Sequence, residues 1–480
     1  MSLKVLFTHS YFLHFDPKQL RAAMPYPPLG TLYAMAYLRE RGYEVKLFDT
    51  MFCRSAQEIQ PVLDAYKPDI FISYDDGFNY LTKMCLTNMR EACFEMQQYA
   101  KSKGCFVITS GSDSADHFEK YLRHGADAVA IGEGEQTVLE LCKAVKNKST
   151  IQSIAGIAFW HDGQIIKNGP RQVMRNLDEL PEPAWDLVDI KPYRDMWLRH
   201  HGYFSLNFVT TRGCPYKCNW CAKPIYGNRY HSHGAEKIVK QIKKWQQVFG
   251  FTHVWFADDI FGLKPNWLAD FANHVREENL RIKYKIQSRA DLLSHEPSII
   301  HLKESGCTMV WLGAESGSQK ILDAMDKGIK VEEIFTATQL LKKHDIGVSF
   351  FLQFGYPGEI LEDIRLTINM VKELLPDDLG ISVSYPLPGT GFYEKVKQDL
   401  KVKANWQHSD DLDLMFKNTY SASFYKSLQR YVHAVFRGSK ARQALRSGQH
   451  FSAKVKPVFS LARQALKEKI LFRKLNLYSS

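Results

Sequence analysis

Short apolar runs alternate with amphipathic segments twice along this chain, in two blocks parted by a stretch where the alternation fails, and few folds accommodate that pattern. In the first block KVLFTHS, YEVKLFD, PDIFISY, CFVITSG and ADAVAIG are near-continuous apolar runs, the pattern of strands buried on both faces. Between them PLGTLYAMAYLRERG, SAQEIQPVLDAYK, a long segment from Leu81 to Lys103, and ADHFEKYLRHG carry apolar residues at helical spacing, and QTVLELCKAVK closes the set. Parallel strands need crossovers of this length. The block therefore predicts an α/β, doubly wound parallel sheet over residues 1–150, with a ligand crevice at the carboxyl ends of its strands.

The pattern then breaks. GIAFWHDGQIIKNG predicts a hairpin turning at Asp162-Gly163, and the Pro-rich, aperiodic LPEPAWDLVDIKPY reads as a linker, so 151–200 is expected to be hairpin and linker. From Phe204 the alternation resumes with FSLNFVT, HVWFADD, RIKYKIQS, TMVWLGAES, GVSFFLQFG and LGISVSY. Six such units predict a β/α partial barrel over 201–400. After PLPGTGFY the text becomes basic, and a mainly helical region is expected over 401–480.

Composition narrows the class. Of 480 residues, 45% are hydrophobic and 24% charged, as in a globular protein. MSLKVLFTHSYF lacks the basic start and apolar run of a leader, and no stretch approaches the roughly 18 to 20 apolar residues of a membrane span. A cytoplasmic setting with reduced thiols is expected. The formal net charge is +11, yet residues 1–400 hold 47 Lys and Arg against 48 Asp and Glu, while 401–480 hold 16 against 4. The basicity is local to the tail, which gives no strong nucleic-acid signal for the whole chain. In the tail, PVFSLARQALKEKILFRKL (Pro457 to Leu475) sets Val458, Leu461, Ala462, Ala465 and Phe472 near one helical face. Packing on the barrel is its plainest use; contact with a membrane surface or a lipid-like substrate is the next, and an acidic partner or RNA the third.

TRGCPYKCNWCAKPIYG, from Thr211 to Gly227, puts Cys214, Cys218 and Cys221 within eight positions directly after a strand, in a chain with nine cysteines. Zinc sites want four ligands and commonly two C-x2-C pairs; no second pair exists, though His231 and His233 lie close enough to complete such a site. A disulfide would leave one thiol over. Three thiolates on a short loop suit an iron–sulfur cluster with one iron open to a further ligand. Cys53, Cys85, Cys93, Cys105, Cys142 and Cys307 are dispersed and read as buried thiols.

C-x3-C-x2-C after the first barrel strand, with Trp220 before the last cysteine, resembles the radical SAM superfamily. The resemblance implies a [4Fe-4S] cluster on Cys214, Cys218 and Cys221, whose open iron holds S-adenosyl-L-methionine and whose electron yields a 5'-deoxyadenosyl radical. It implies that Trp220 packs near the adenine, that Glu315 and Ser316 of GAESGS meet the ribose or methionine end, and that Arg289 pairs with the SAM carboxylate. Asp258 of FADDIF and Ser288 of QSRADLL lie at corresponding strand ends. Plainer readings stand beside these: Asp258 and Asp259 as helix caps, Arg289 and Asp291 as an ion pair, and FGYPGE, ending at Glu359, as turn chemistry.

A doubly wound, Rossmann-like domain before such a barrel resembles the cobalamin-binding class of the superfamily, on PPLGTLYAMAYLRERGYEVKLFD, SGSDSADHFEKYLRHGADAVAIGEGE and DELPEPAWDL. It implies cobalamin contacts at Ser73, Ser110, Gly111, Gly132, Glu133 and Gly134. The chain departs from members that ligate cobalt through D-x-H-x-x-G: THSYFLHFDP has His9 and His14 without the motif, and no histidine below the cobalt is expected. The implied activity is radical C-methylation of an unactivated carbon in a metabolite or lipid-like substrate, with cyclisation or rearrangement without methyl transfer as the alternative and a non-catalytic corrinoid or iron–sulfur carrier as a third reading. An electron donor such as flavodoxin or ferredoxin is the implied partner.

Overall fold

The computed structural model describes residues 3–78, 86–223 and 225–446. Leu81, where the long helical segment was expected to begin, and the tail segment Pro457 to Leu475 lie outside the described residues. The chain divides into two compact units, one of Met1–Pro215, Ala222–Tyr284 and Asn405–Asp411, the other of Tyr216–Cys221, Lys285–Ala404 and Leu412–Ser480.

In the first unit, β1 (Lys4–Thr8), β2 (Glu44–Phe48), β3 (Ile70–Tyr74), β4 (Phe106–Ser110) and β5 (Ala128–Ala130) lie parallel in the order β2-β1-β3-β4-β5. Val5, Leu6, Phe7, Ile70, Phe71 and Ile72 have no exposed surface, which is why these strands read as unbroken apolar runs. The strand order reverses between β1 and β3, so the crevice opens outside their carboxyl ends, at His9, Ser10, Asp75 and Gly111. The hairpin forms as expected, β6 (Ile157–His161) turning through Asp162 (φ 48°) and Gly163 (φ 76°) into β7 (Gln164–Lys167). It belongs to the first sheet: β6 pairs antiparallel with β5, because Ile157, Ala158 and Phe159 need a buried edge.

The segment read as a linker is a packed strap. Trp185, Tyr193 and Trp197 have no exposed surface; Trp197 Nε1 donates to the Pro25 carbonyl at 2.8 Å and Tyr193 Oη to Asp49 Oδ2 at 2.8 Å. A helix, Lys191–His201, ends it with Pro192 in its first turn. Aperiodic sequence hides such a strap, since each large side chain fills its own hole rather than one face of a regular element.

All six later apolar runs form strands. β8 (Ser205–Phe208) is followed by a two-residue antiparallel ladder of β9 (Thr211–Arg212) and β10 (His231–Ser232), which closes the base of the cysteine loop, 213–230. β11 (His253–Phe256), β12 (Lys283–Ser288), β13 (Cys307–Glu315), β14 (Gly347–Phe354) and β15 (Leu379–Val383) complete a six-stranded sheet in the order β15-β14-β13-β12-β11-β8. One face packs on helices: the Tyr284 ring meets Phe256 edge-on at 5.2 Å and Phe271 of the helix Trp267–Glu277 at 6.0 Å. Residues 401–421 form no helix; their Leu412, Leu414, Met415 and Phe416 are buried without helical spacing. The helix Ala422–Arg446 follows. Among the described residues no helix is long and apolar enough to cross a membrane.

Candidate functional site

The second unit holds two of the three motif cysteines on one tight turn, in which the Cys221 N–H donates to the Cys218 carbonyl at 3.2 Å. Between them sits Asn219, which sequence reasoning passed over. Its N–H donates to the Met325 carbonyl at 3.0 Å, and its carbonyl accepts from Phe392 N–H at 2.8 Å. Its side-chain Nδ2 donates to the Ala324 carbonyl at 2.8 Å and to Asp326 Oδ2 at 2.7 Å, while Oδ1 accepts from Tyr356 Oη at 2.8 Å. FGYPGE, which read as turn chemistry, thus supplies Tyr356, and PLPGTGFY supplies Phe392, as fixed points for the cysteine turn.

Arg289 and Lys327 bring positive charge to the same turn. The Arg289 guanidinium lies over the Tyr216 ring at 3.6 Å, donates to Asp291 at 3.0 and 3.3 Å and to the Gly328 carbonyl at 3.2 Å, and points Nη1 at Cys218 Sγ, 3.9 Å away. The ion pair with Asp291 is therefore real. Lys327, also unforeseen, is 6% exposed, pairs with Glu315 Oε1 at 2.9 Å, and lies 5.9 Å from the Trp220 ring. Glu315 ends β13 with φ 58°, at a slip in the β13–β14 register. A left-handed glutamate at a strand end costs of order 1–3 kcal/mol and persists only where its surroundings enforce it. Gly313 makes room for the pair: a Cβ there would stand 2.8 Å from Lys327 Nζ.

Ser316 is wholly buried, its Oγ 3.1 Å from Thr367 Oγ1 and accepting from Ser318 N–H at 3.1 Å. Ser288 is buried at the end of β12. The indole N–H of Trp220 is buried and has no partner among the described residues. An orphaned donor beside a carboxylate–ammonium pair fits a ligand that carries both a zwitterion and ribose oxygens, and S-adenosyl-L-methionine is such a ligand.

In the first unit the approach to Cys214 is fastened from below. Asp258 Oδ1 accepts from the N–H groups of Thr210 and Thr211 at 2.8 and 2.7 Å and from Thr211 Oγ1 at 2.8 Å; Oδ2 accepts from Thr210 Oγ1 at 2.9 Å. Burial pushes its carboxyl up to about 7 against these bonds. Asp258 braces the strand end and caps no helix. His233, the candidate zinc ligand, is 2% exposed and turned to Asp178 Oδ1 at 3.0 Å. The thiols of Cys214, Cys218 and Cys221 are free of disulfides. Among the described residues no group of three His, Cys, Asp or Glu side chains is gathered as a metal site; the fit of a cluster rests on the donor set, three unoxidised thiols on one loop.

At the crevice of the first sheet, Ser73 is wholly buried with Oγ 3.2 Å from Cys93 Sγ. Gly111 follows β4 so tightly that a Cβ would stand 2.9 Å from Asp75 Cβ, and one on Gly134 would stand 2.6 Å from the Tyr74 ring and 2.7 Å from Ser110 Oγ. Gly132 turns with φ 85°. Glu133 is spoken for, Oε1 by Arg212 at 2.5 Å and Oε2 by Met174 N–H at 2.5 Å. Ser112 Oγ is buried with no partner among the described residues, an opening for a polar ligand at the end of β4. His9 offers no ring nitrogen to a metal: Nε2 is 2.8 Å from Asp49 Oδ1, and Nδ1 accepts from Tyr11 N–H at 3.3 Å. These features fit a corrinoid ligand at the crevice.

The sequence profile of the radical SAM superfamily matches residues 208–371, enclosing the cysteine loop and β11 to β14. Residues 208–371 are a radical SAM domain. It is 27% identical over 401 residues to an uncharacterized methyltransferase of Pyrococcus horikoshii, covering 82% of this chain and 83% of that one. An anaerobic magnesium-protoporphyrin IX monomethyl ester cyclase of Synechocystis is 26% identical over 76% of this chain and 72% of its own length. A hopanoid C-3 methylase of Methylococcus capsulatus is 24% identical over 78% and 70%. The fold matches the cobalamin-dependent radical enzyme OxsB with TM-score 0.75 at 17% identity, over all of this chain and 74% of that one. It matches the methyltransferase TsrM of Kitasatospora setae with TM-score 0.69 at 17% identity, over 83% and 78%. The chain thus shares the fold of these two structures.

Proposed function

We propose that this radical SAM protein is a cobalamin-dependent C-methyltransferase acting on an unactivated carbon of a small molecule. One observation carries the reading. Within the first unit the cysteine loop rests on the strand ends that form the crevice: a Cβ on Gly77 would stand 2.7 Å from Ile225 Cδ1, one on Gly132 would stand 3.7 Å from the Ile225 carbonyl, and the Phe78 and Tyr226 rings stack at 5.8 Å. The crevice and the cysteine loop share one boundary, as an enzyme needs if a methyl donor and a radical source are to reach one substrate carbon.

When bound, the cluster and S-adenosyl-L-methionine supply the hydrogen-abstracting radical and cobalamin supplies the methyl group. The chain's own part is to hold and shield. Cys214, Cys218 and Cys221 would hold the cluster. Glu315, Lys327 and Trp220 would orient the SAM amino-acid and ribose groups, with Ser316, Ser288 and Asp258 bracing their strand ends. Gly111, Ser112 and the Gly132–Gly134 turn would line the corrinoid crevice. A small electron-transfer protein would supply reducing equivalents, and the charge of the tail supports contact with an anionic lipid surface.

Anaerobic assay of 5'-deoxyadenosine, S-adenosylhomocysteine and product mass tests this. A gain of one CH2 in the product with both nucleosides formed supports it. The Synechocystis relative favours one second reading, oxidative cyclisation, for which deoxyadenosine forms without S-adenosylhomocysteine and the product gains no CH2.

A further inference from the structure

Arg212, two residues before Cys214, is 3% exposed and lies between two carboxylates of the GEGE turn. Nη1 donates to Glu133 Oε1 at 2.5 Å and Nη2 to Glu135 Oε1 at 2.6 Å. Three rings surround the guanidinium carbon, Tyr226 at 5.3 Å, Tyr33 at 5.5 Å and Phe78 at 5.8 Å. Phe78 and Tyr33 come from the first sheet's side, and Tyr226 from the far arm of the cysteine loop. The backbone allows little slack beside it: Gly213 has φ 79°, and a Cβ there would fall 2.3 Å from the Arg229 carbonyl oxygen. Glu135 is 2% exposed, and its Oε2 has no partner among the described residues. One cation thus serves two buried carboxylates, each Nη of the planar fork meeting one of them in a fixed geometry that a flexible ammonium does not impose.

We propose that Arg212 is a positioning residue that couples the two cofactor sites, seating the cysteine loop on the GEGE turn so that filling the corrinoid crevice steadies the cluster. This rests on the cobalamin reading above, because Gly132 and Gly134 flank the carboxylates that Arg212 holds. Coupling of this kind is reciprocal: what holds the turn for one ligand holds it for the other.

The test uses full-length, anaerobically reconstituted protein, challenged with an iron chelator with and without hydroxocobalamin. In the native protein, cobalamin slows iron loss at least threefold. In Arg212→Lys and Glu135→Gln that protection falls to less than 1.5-fold, while cobalamin, read from its visible spectrum, still binds within threefold of the native affinity and the cluster's EPR g values are unchanged. Glu133→Gln loses part of the protection and guards against a variant that fails to fold. Equal protection in native protein and variants overturns the proposal. If the native protein takes up no cobalamin, the cobalamin reading fails instead; the clamp is then judged without it, and iron loss no faster in Arg212→Lys than in native protein overturns the clamp.

Discussion

Asn219 and Tyr356, 137 positions apart, meet in a 2.8 Å hydrogen bond, and Tyr356 Oη lies 2.8 Å from the same Ala324 carbonyl that Asn219 Nδ2 addresses. A cysteine turn held by a three-way junction of this kind keeps its thiols placed without help from secondary structure, of which the turn itself has none.

Replacing Asn219 with Ala removes three side-chain bonds and leaves the two backbone bonds in place. At about 0.5–1.5 kcal/mol each, the loss is about 2–4 kcal/mol of local stability. Iron content after reconstitution should fall by half or more, with far-ultraviolet circular dichroism unchanged. Asn219→Asp should do worse, since it sets a second carboxylate beside Asp326.

Glu315→Ala strands Lys327 in a buried site, at a cost of about 3–5 kcal/mol. Glu315→Gly loses the same pair and relieves the left-handed backbone, so it should be about 1 kcal/mol more stable than the Ala variant. Chemical denaturation measures the gap between them. Both variants should form 5'-deoxyadenosine at least tenfold more slowly than the native protein.

Gly134→Ala pushes a methyl group into the Tyr74 ring and Ser110 Oγ. Overpacking of this sort costs about 1–3 kcal/mol. The crevice should lose cobalamin, read as loss of corrinoid absorbance after gel filtration, while the iron content of the purified protein stays within a factor of two.

Glu359 gives a pH dependence with a definite sign. Burial lifts its carboxyl to about 8; Oε2 accepts from Gly355 N–H at 2.6 Å, and Oε1 has no partner among the described residues. The folded state keeps this proton up to about pH 8, whereas the unfolded chain releases it near 4.5. Between those values the folded state binds more protons, so the group's contribution to stability falls as pH rises and levels off above the folded value. Urea titrations at pH 5.5 and 8.5 should show Glu359→Gln gaining on the native protein by about 2–4 kcal/mol across that interval. An equal gap at both pH values would show Glu359 to be ionised throughout.

The strands and the cysteine motif were legible because each is a local pattern: Ile70 to Tyr74 is buried on both faces and reads as one apolar run, and the thiols stand within eight positions. Asn219, Lys327 and Arg212 were hidden because their meaning lies in partners far along the chain, and a lone Asn, Lys or Arg is ordinary. A faint signal existed for Lys327, which stands between Asp326 and Gly328, both left-handed, at the foot of a short helix. Ser73 shows the limit from the other side: its position at a strand end was right, yet its hydroxyl faces Cys93, because residues along a strand alternate between faces and only packing says which face meets a helix.

The hairpin that completes the first sheet ends at Lys167, ahead of Arg212 and all three motif cysteines. A ribosome working from the amino terminus therefore finishes the surface bearing Glu133 and Glu135 before it makes the first cysteine of the motif. The thiols emerge onto a dock already built, and Asp258 arrives afterwards to lock Thr210 and Thr211 from beneath. Chain order thus places the seat before the cargo, and the fixed points of the cysteine turn, Met325, Tyr356 and Phe392, last of all.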